Sequence, residues 1–161
     1  AAILSVFYLS KKYASISFSW LLDRMAIIVL AAGSFIRFGN FMNSELYGTP
    51  TGSDYGVIFT LHDTIARHPV QLYESVWLMA CFLSFMALYI KLKAWKDGFF
   101  ACLFLSVVFS GRLFLEFMKE SPDLALGLSR TQWLSVPMII LGLFGLIYLN
   151  RKERNNEGLS G

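Results

Sequence analysis

The stretch IIVLAAGSFIRFGNFMNSELYG, Ile27 to Gly48, decides the fold. Its first half is apolar or small. Its second half, from Arg37 to Gly48, packs a guanidinium, two carboxamides, a carboxylate and two glycines into a short space. Charged and amide groups that abut a hydrocarbon-compatible segment are costly, and they usually have a job. Extended back to Phe18, the apolar part becomes a run, Phe18 to Phe38, that reaches the roughly 20 residues needed to span a bilayer. The pattern predicts a membrane scaffold that holds the polar stretch in place.

Composition agrees. Hydrophobic residues make up 56% of the 161 residues and charged residues only 16%. A soluble domain has about 45–50% apolar and about 25% charged residues. Together with a mean hydropathy of +0.56, this favours a single polytopic membrane unit over residues 1–161. The net charge of +3 is small and implies no nucleic-acid partner. Cys81 and Cys102 both lie in apolar runs and read as buried small side chains, with neither metal-ligand nor disulfide spacing.

Taken in order, Ala1 to Ser10 is apolar but too short to span, and reads as the last turns of a truncated helix. Lys11, Lys12 and Tyr13 close it as interfacial residues do. Asp23 and Arg24 lie near the start of the second run, at the same membrane face, as anchoring groups. Residues 39–69 carry Gly48, Pro50, Gly52 and Gly56 as turn signals, and predict an extracytoplasmic cap with a short strand or buried turn at Val57 to Leu61. Further runs cover Val70 to Ile90, Phe99 to Met118 and Gln132 to Leu149. Ser121, Pro122 and Asp123 break the chain after the fourth run, and Pro137 is a candidate kink in the fifth. Residues 150–161 form a polar tail, expected to be mobile. The fold class is therefore an all-α polytopic membrane helix bundle with about four full transmembrane helices plus a truncated first one.

Basic residues alternate between loops. Lys11, Lys12, Arg24, Lys91, Lys93, Lys96, Arg151, Lys152 and Arg154 fall on one side, which the positive-inside rule makes cytoplasmic. Arg37, Arg67, Arg112, Lys119 and Arg130 fall on or near the other side, against that rule, and are candidates for holding an anion. Arg112, Glu116 and Lys119 share one helix face at i, i+4 and i+7 spacing. An Arg in an apolar run should face the bundle interior or water. Gly111 would let another backbone approach. Guanidinium groups grip phosphate with paired hydrogen bonds, so Arg37 and Arg112 suit an anionic phospholipid. Glu116 would orient Arg112 or accept a proton. Asn40 and Asn43 offer neutral donors and acceptors. In the third polar group, Arg67 to Glu74, Pro69 fits a helix start. Gln71 and Glu74 share a face, and His68 is either a base near neutral pH or an interfacial cap. His62, beside Asp63, is assigned nothing.

These residues resemble a known family. Arg37-x-Gly39-Asn40-Phe41-Met42-Asn43-x-Glu45-Leu46-x-Gly48 is similar to the signature of prolipoprotein diacylglyceryl transferases. So, in order, are Arg67-His68-Pro69-x-Gln71-Leu72-Tyr73-Glu74, Gly111-Arg112-x-Phe114-x-Glu116-Phe117, and Leu128-Ser129-Arg130-x-Gln132-Trp133-Leu134-Ser135-x-Pro137-Met138. The resemblance implies a multi-pass enzyme of the bacterial inner membrane, with its site toward the periplasm and its C-terminus in the cytoplasm. It implies two substrates, phosphatidylglycerol and a prolipoprotein signal peptide with a lipobox cysteine. The diacylglyceryl group passes to the thiol, a thioether forms and glycerol 1-phosphate leaves, with no metal or cofactor. Carried over, Arg37, Arg112 and Glu116 are the catalytic candidates. Arg37, Asn40, Asn43, Glu45, Gly48, His68, Gln71, Tyr73 and Glu74 are the substrate-binding candidates, among surrounding membrane lipids.

The chain departs from the family pattern at Ile36 and Ser44, where the family usually has Gly, and at Lys119, where it tends to have Arg. The family has seven helices and a His-Gly pair just before an Ala-Ala-Ile-like stretch, here Ala1-Ala2-Ile3. The expectation is that an N-terminal part carrying the thiol's base precedes these residues, and that they are weakly active or inactive by themselves. The competing reading from another class is a transporter using an Arg112–Glu116 relay; it would want charges in several helices at mid-depth and an internal repeat, and no repeat is evident.

Overall fold

A computed structural model of the chain describes residues 2–12, 17–53, 55–92, 94–119, 124–125 and 128–158. Tyr13, Lys93 and the break at Ser121, Pro122 and Asp123 lie outside the described residues. The helices are α1 (Ala2–Lys12), α2 (Phe18–Met42), α3 (Val70–Lys91), α4 (Phe99–Leu115) and α5 (Arg130–Gly158). A 3-10 turn, Glu116–Met118, continues α4. Among the described residues four helical stretches are long and apolar enough to cross a membrane: Phe18–Met42, Val70–Lys91, Phe99–Met118 and Arg130–Arg151. Large side chains such as Ile28, Phe35, Leu83, Ile90 and Phe144 face outward, as spanning helices require.

Two boundaries differ from the sequence reading. α2 runs on to Met42, so Arg37, Gly39 and Asn40 are helical rather than the start of the cap. The ladder continues because Gly39 is tolerated within it, and Asn43 closes it by donating its N–H to Gly39 O. α5 begins two residues earlier than Gln132 and stays helical through Gly158, past the expected end at Leu149 and into the polar tail.

The early start of α5 has a readable cause. Ser129 Oγ accepts from Gln132 N at 3.2 Å, and Gln132 Oε1 accepts from Ser129 N at 2.8 Å. This is a reciprocal capping box, Ser-x-x-Gln, which satisfies two otherwise orphaned donors.

α5 packs along α4, α3 packs along α2, and α2 also touches α4. The α4–α5 seam is made by small residues. A Cβ on Gly142 would lie 2.5 Å from Ser106 Oγ, and one on Gly145 would lie 2.4 Å from Cys102 Sγ. In hydrocarbon, close approach of this kind takes the place of the hydrophobic drive. The α2–α3 seam is tied by serines: Ser34 Oγ donates to Ser75 O and Ser75 Oγ to Ser34 O, each at 2.9 Å. Between the seams, Ile27, Leu30, Cys81, Phe85, Phe100 and Val108 form the buried core. Cys81 and Cys102 are free, as small apolar fillers.

The bundle has two chemically distinct ends. At the end holding Lys12, Lys91 and Arg151, Asp23 accepts from Gly98 N and Ala101 N, both at 2.9 Å. Its carboxylate thus caps the N-terminus of α4, where the helix dipole favours negative charge. Arg24 stacks on Trp20 with 3.7 Å between guanidinium carbon and ring centroid. Asp23 thus caps a helix and Arg24 covers a ring, and both serve the packing at this end.

The opposite end carries the cap. Strand β1 (Val57–Ile58) pairs antiparallel with β2 (Ala66–Arg67). A second hairpin, β3 (Leu124–Ala125) with β4 (Leu128–Ser129), leads into α5. Asp23→Ala should lower stability by about 1–3 kcal/mol by stranding two partly buried donors, read as a drop in thermal unfolding temperature in detergent.

Candidate functional site

The polar residues of α2, α3 and α4 meet at the cap end because antiparallel helices bring the end of one beside the start of the next. Arg37 lies one turn beyond Ser34, and Glu74 directly precedes Ser75. The serine clasp therefore sets these two side chains against each other. Arg37 Nε lies 3.1 Å from Glu74 Oε2, and the Glu74 side chain is only 5% exposed. That oxygen has no hydrogen bond, so the contact is an ion pair off the N–H axis.

The other Glu74 oxygen accepts from Lys119 Nζ at 2.7 Å. Lys119 also lies 3.6 Å from Glu116 Oε2. Ser129 Oγ donates to Glu116 Oε1 at 3.0 Å. A charged chain thus links α2, α3, the end of α4 and the start of α5.

Arg112 stands apart from this chain. Glu116 is engaged by Lys119 and Ser129, not by Arg112, which corrects the expected Arg112–Glu116 pairing. The cause is local: the helix tightens at Glu116 into the 3-10 turn, and the carboxylate meets donors on that side. Among the described residues the Arg112 side chain has no hydrogen bond or ion pair; the Phe109 ring lies 6.0 Å from its guanidinium carbon. Arg112 lines a cavity of about 290 Å³ together with Arg37 and Glu74. Among the described residues Arg37 and Lys119 are paired with Glu74 and Glu116 while Arg112 has no carboxylate partner, a surplus of one cation on these five side chains. A site with that surplus, in a low-dielectric surround, favours an anion.

The loop after α2 is shaped by close backbone contact. Gly48 N donates to His68 O and Thr49 N donates to Met118 O, each at 2.9 Å. A Cβ on Gly48 would lie 2.5 Å from Val70 Cγ2 and 2.7 Å from both His68 O and Met118 O. Gly48 is therefore the point where the cap loop, the start of α3 and the end of α4 cross, and only hydrogen fits there. Ser44 and Leu46 both hold positive φ, 57° and 55°. That conformation strains an L residue, and it gives a physical reason for the glycine usual at the position of Ser44.

The remaining candidates are dispersed. Gln71 is buried and donates through Nε2 to Glu45 O, while its Oε1 has no partner among the described residues. Asn43 and Glu45 are exposed and Asn40 is half-buried. His68 Nδ1 is buried without a hydrogen bond, and its ring lies 6.3 Å from that of Tyr73.

Arg67 is not free for a ligand. It donates to Asp63 Oδ2 from Nε at 2.9 Å and Nη2 at 2.7 Å, and to Gly48 O from Nη1 at 3.3 Å. It rivets the cap. The hydrogen bonds from Arg67 hold the Asp63 carboxyl below its usual value of 3.8. Gly111 meets the Trp77 indole rather than a backbone. The groups missed from sequence are Ser34, Ser75 and Ser129; of these only Ser129 carried a signal, its Gln at i+3.

The family described as prolipoprotein diacylglyceryl transferase matches residues 1–148. A phosphatidylglycerol–prolipoprotein diacylglyceryl transferase of Tolumonas auensis is 40% identical over 156 residues, covering 94% of this chain and 60% of that protein. Proteins of the same name from Chloroherpeton thalassium and Bacteroides fragilis are 38% and 36% identical, with 97% and 81% of this chain covered. The chain spans 60%, 59% and 49% of the lengths of these three relatives.

Ser44→Gly should raise stability by about 1 kcal/mol by relieving the left-handed strain, read as a higher unfolding temperature. The Asp63–Arg67 clasp should contribute stability above the ordinary carboxyl value of 3.8 and lose it as pH falls through the lowered one. Asp63→Asn should remove that acid-side dependence in a pH series of unfolding curves. With the family match, the relatives' names and the four motifs in order all converging, the chain belongs to the prolipoprotein diacylglyceryl transferase family.

Proposed function

We propose that the intact protein transfers the diacylglyceryl group of phosphatidylglycerol to the lipobox cysteine thiol of a prolipoprotein. The reaction takes place in the bacterial cytoplasmic membrane, with the site toward the periplasm and the C-terminus in the cytoplasm. One observation carries the reading: Arg112, without a carboxylate partner among the described residues, lines the same cavity as Arg37 and Glu74. A guanidinium left unneutralised beside a second one is suited to a phosphodiester. The orientation rests on the basic residues at the opposite end of the bundle.

The thiolate is the nucleophile, so a base first takes the thiol proton. Among the described residues His68 offers an imidazole whose Nδ1 is buried without a hydrogen bond, although it does not line the cavity of Arg37 and Arg112. The sulfur then attacks the glycerol C3 carbon of the lipid. The carbon–sulfur bond forms as the carbon–oxygen bond to phosphate breaks, and the electron pair leaves with glycerol 1-phosphate. Charge grows on the phosphate oxygens, where Arg112 and the outer nitrogens of Arg37 stabilise it. Glu74 holds Arg37 in place, and Glu116 holds Lys119. Asn40, Asn43 and Glu45, near the end of α2, are the candidates for contact with the glycerol head or the peptide.

A proton relay across the membrane finds less support. The charged side chains of the site, Arg37, Glu74, Arg112, Glu116 and Lys119, gather at one end of the helices, and do not step through the spans.

Arg112→Ala in the intact protein should reduce transfer by about 10²–10³-fold or more, measured as the diacylglyceryl adduct on a lipobox peptide by mass spectrometry. Arg112→Lys should recover little, since a point charge lacks the paired donors. Normal transfer by Arg112→Ala would sink the assignment.

A further inference from the structure

Trp77 borders three cavities at once. The first is the charged pocket of Arg37, Glu74 and Arg112. The second is a groove of about 870 Å³ between α3 and α4, lined by Tyr73, Val76, Ala80, Ser110 and Phe114 among others. The third, of about 250 Å³, runs further along the same helix pair past Ala80 and Cys81. Val76 and Phe114 are 68% and 72% exposed, so the groove opens on the lipid-facing side of the bundle.

The indole is fitted against Gly111, the residue before Arg112. A Cβ there would fall 2.1 Å from Trp77 Nε1. Trp77 is 37% exposed, and among the described residues its indole N–H has no hydrogen-bond partner.

An amphiphile whose anionic head sits on Arg112 has a natural place for its tail. The apolar groove begins at Trp77 and Leu115, the two residues it shares with the charged pocket. The segment joining head to tail in a glycerolipid carries ester carbonyls, which are hydrogen-bond acceptors. That segment must pass Trp77, where an unused donor waits. The charge surplus at Arg112 selects an anionic head over a zwitterionic one.

We infer that Trp77 is a specificity-determining residue: its indole, seated on Gly111, partitions the groove from the charged pocket, and positions an acyl chain of an anionic glycerophospholipid in the groove. This inference rests on the proposed function for its choice of lipid. Because the indole fills the space above Gly111, its bulk limits which chains fit beside it. The Gly–Trp pairing works as a size filter, and a smaller residue at 77 joins the groove to the pocket.

The test uses the intact protein in phosphatidylcholine vesicles. Phosphatidylglycerol brominated on an acyl chain is compared with equally brominated phosphatidylcholine, and the emission of Trp77 is taken as the difference between wild type and Trp77→Phe. The expected result is several-fold stronger quenching of Trp77 by the brominated phosphatidylglycerol. In parallel, the vesicles carry a mixture of phosphatidylglycerols with straight and branched chains, and the adducts on a lipobox peptide are weighed. Trp77→Ala should raise the branched-chain share several-fold, and Gly111→Ala, which drives the indole from its seat, should also change it.

Equal quenching by the two lipids means bulk lipid contact only, and overturns the inference. So does an unchanged donor ratio in Trp77→Phe, Trp77→Ala and Gly111→Ala together. If wild type makes no adduct while selective quenching persists, the transferase reading fails and the groove assignment stands. If wild type makes the adduct without selective quenching, the outcome is the reverse.

Discussion

A carboxylate buried between two cations organises the functional end of this protein. Glu74 is held by Arg37 from one side and Lys119 from the other, and its side chain is 5% exposed. An exposed ion pair is worth about 0–1 kcal/mol. Breaking a buried one by removing a single partner costs about 3–5 kcal/mol, because an uncompensated charge remains. The pairing therefore dictates which ends of α2, α3 and α4 lie together. It also disposes of most of the charge, so that the cation left over at Arg112 becomes distinctive.

The scaffold meets this demand without a strong hydrophobic drive, since lipid tails are as apolar as leucine. It uses reciprocal serine bonds between α2 and α3, and glycine against cysteine and serine between α4 and α5. Asp23 ties the far end by capping α4, and the cap residues tie the near end through Gly48. The serine bonds and the Asp23 cap satisfy donors as they tie helices together, and the glycines let backbones come close. The same closeness leaves the space between α3 and α4 open at Trp77, where the indole takes the room that Gly111 concedes.

Local residue chemistry already determined much of this protein. Apolar run length placed all four spans, because a bilayer imposes its thickness on any crossing helix. The four motifs identified the family, and composition marked the cysteines as packing groups. Arg37 and Arg112 were singled out because a charge beside hydrocarbon is rarely idle.

Tertiary structure decided who pairs with whom. Helical spacing put Glu116 on the face of Arg112, yet a 3-10 turn and donors from Lys119 and Ser129 drew it away. Arg67 resembled an anion-binding group until Asp63, four residues before it, proved to occupy it. Glu74 emerged as the hub only when Lys119, distant in sequence, arrived beside it. Spacing along one helix fixes direction around that helix, whereas ion pairing between helices depends on their rotation and depth, and packing of the whole bundle sets both.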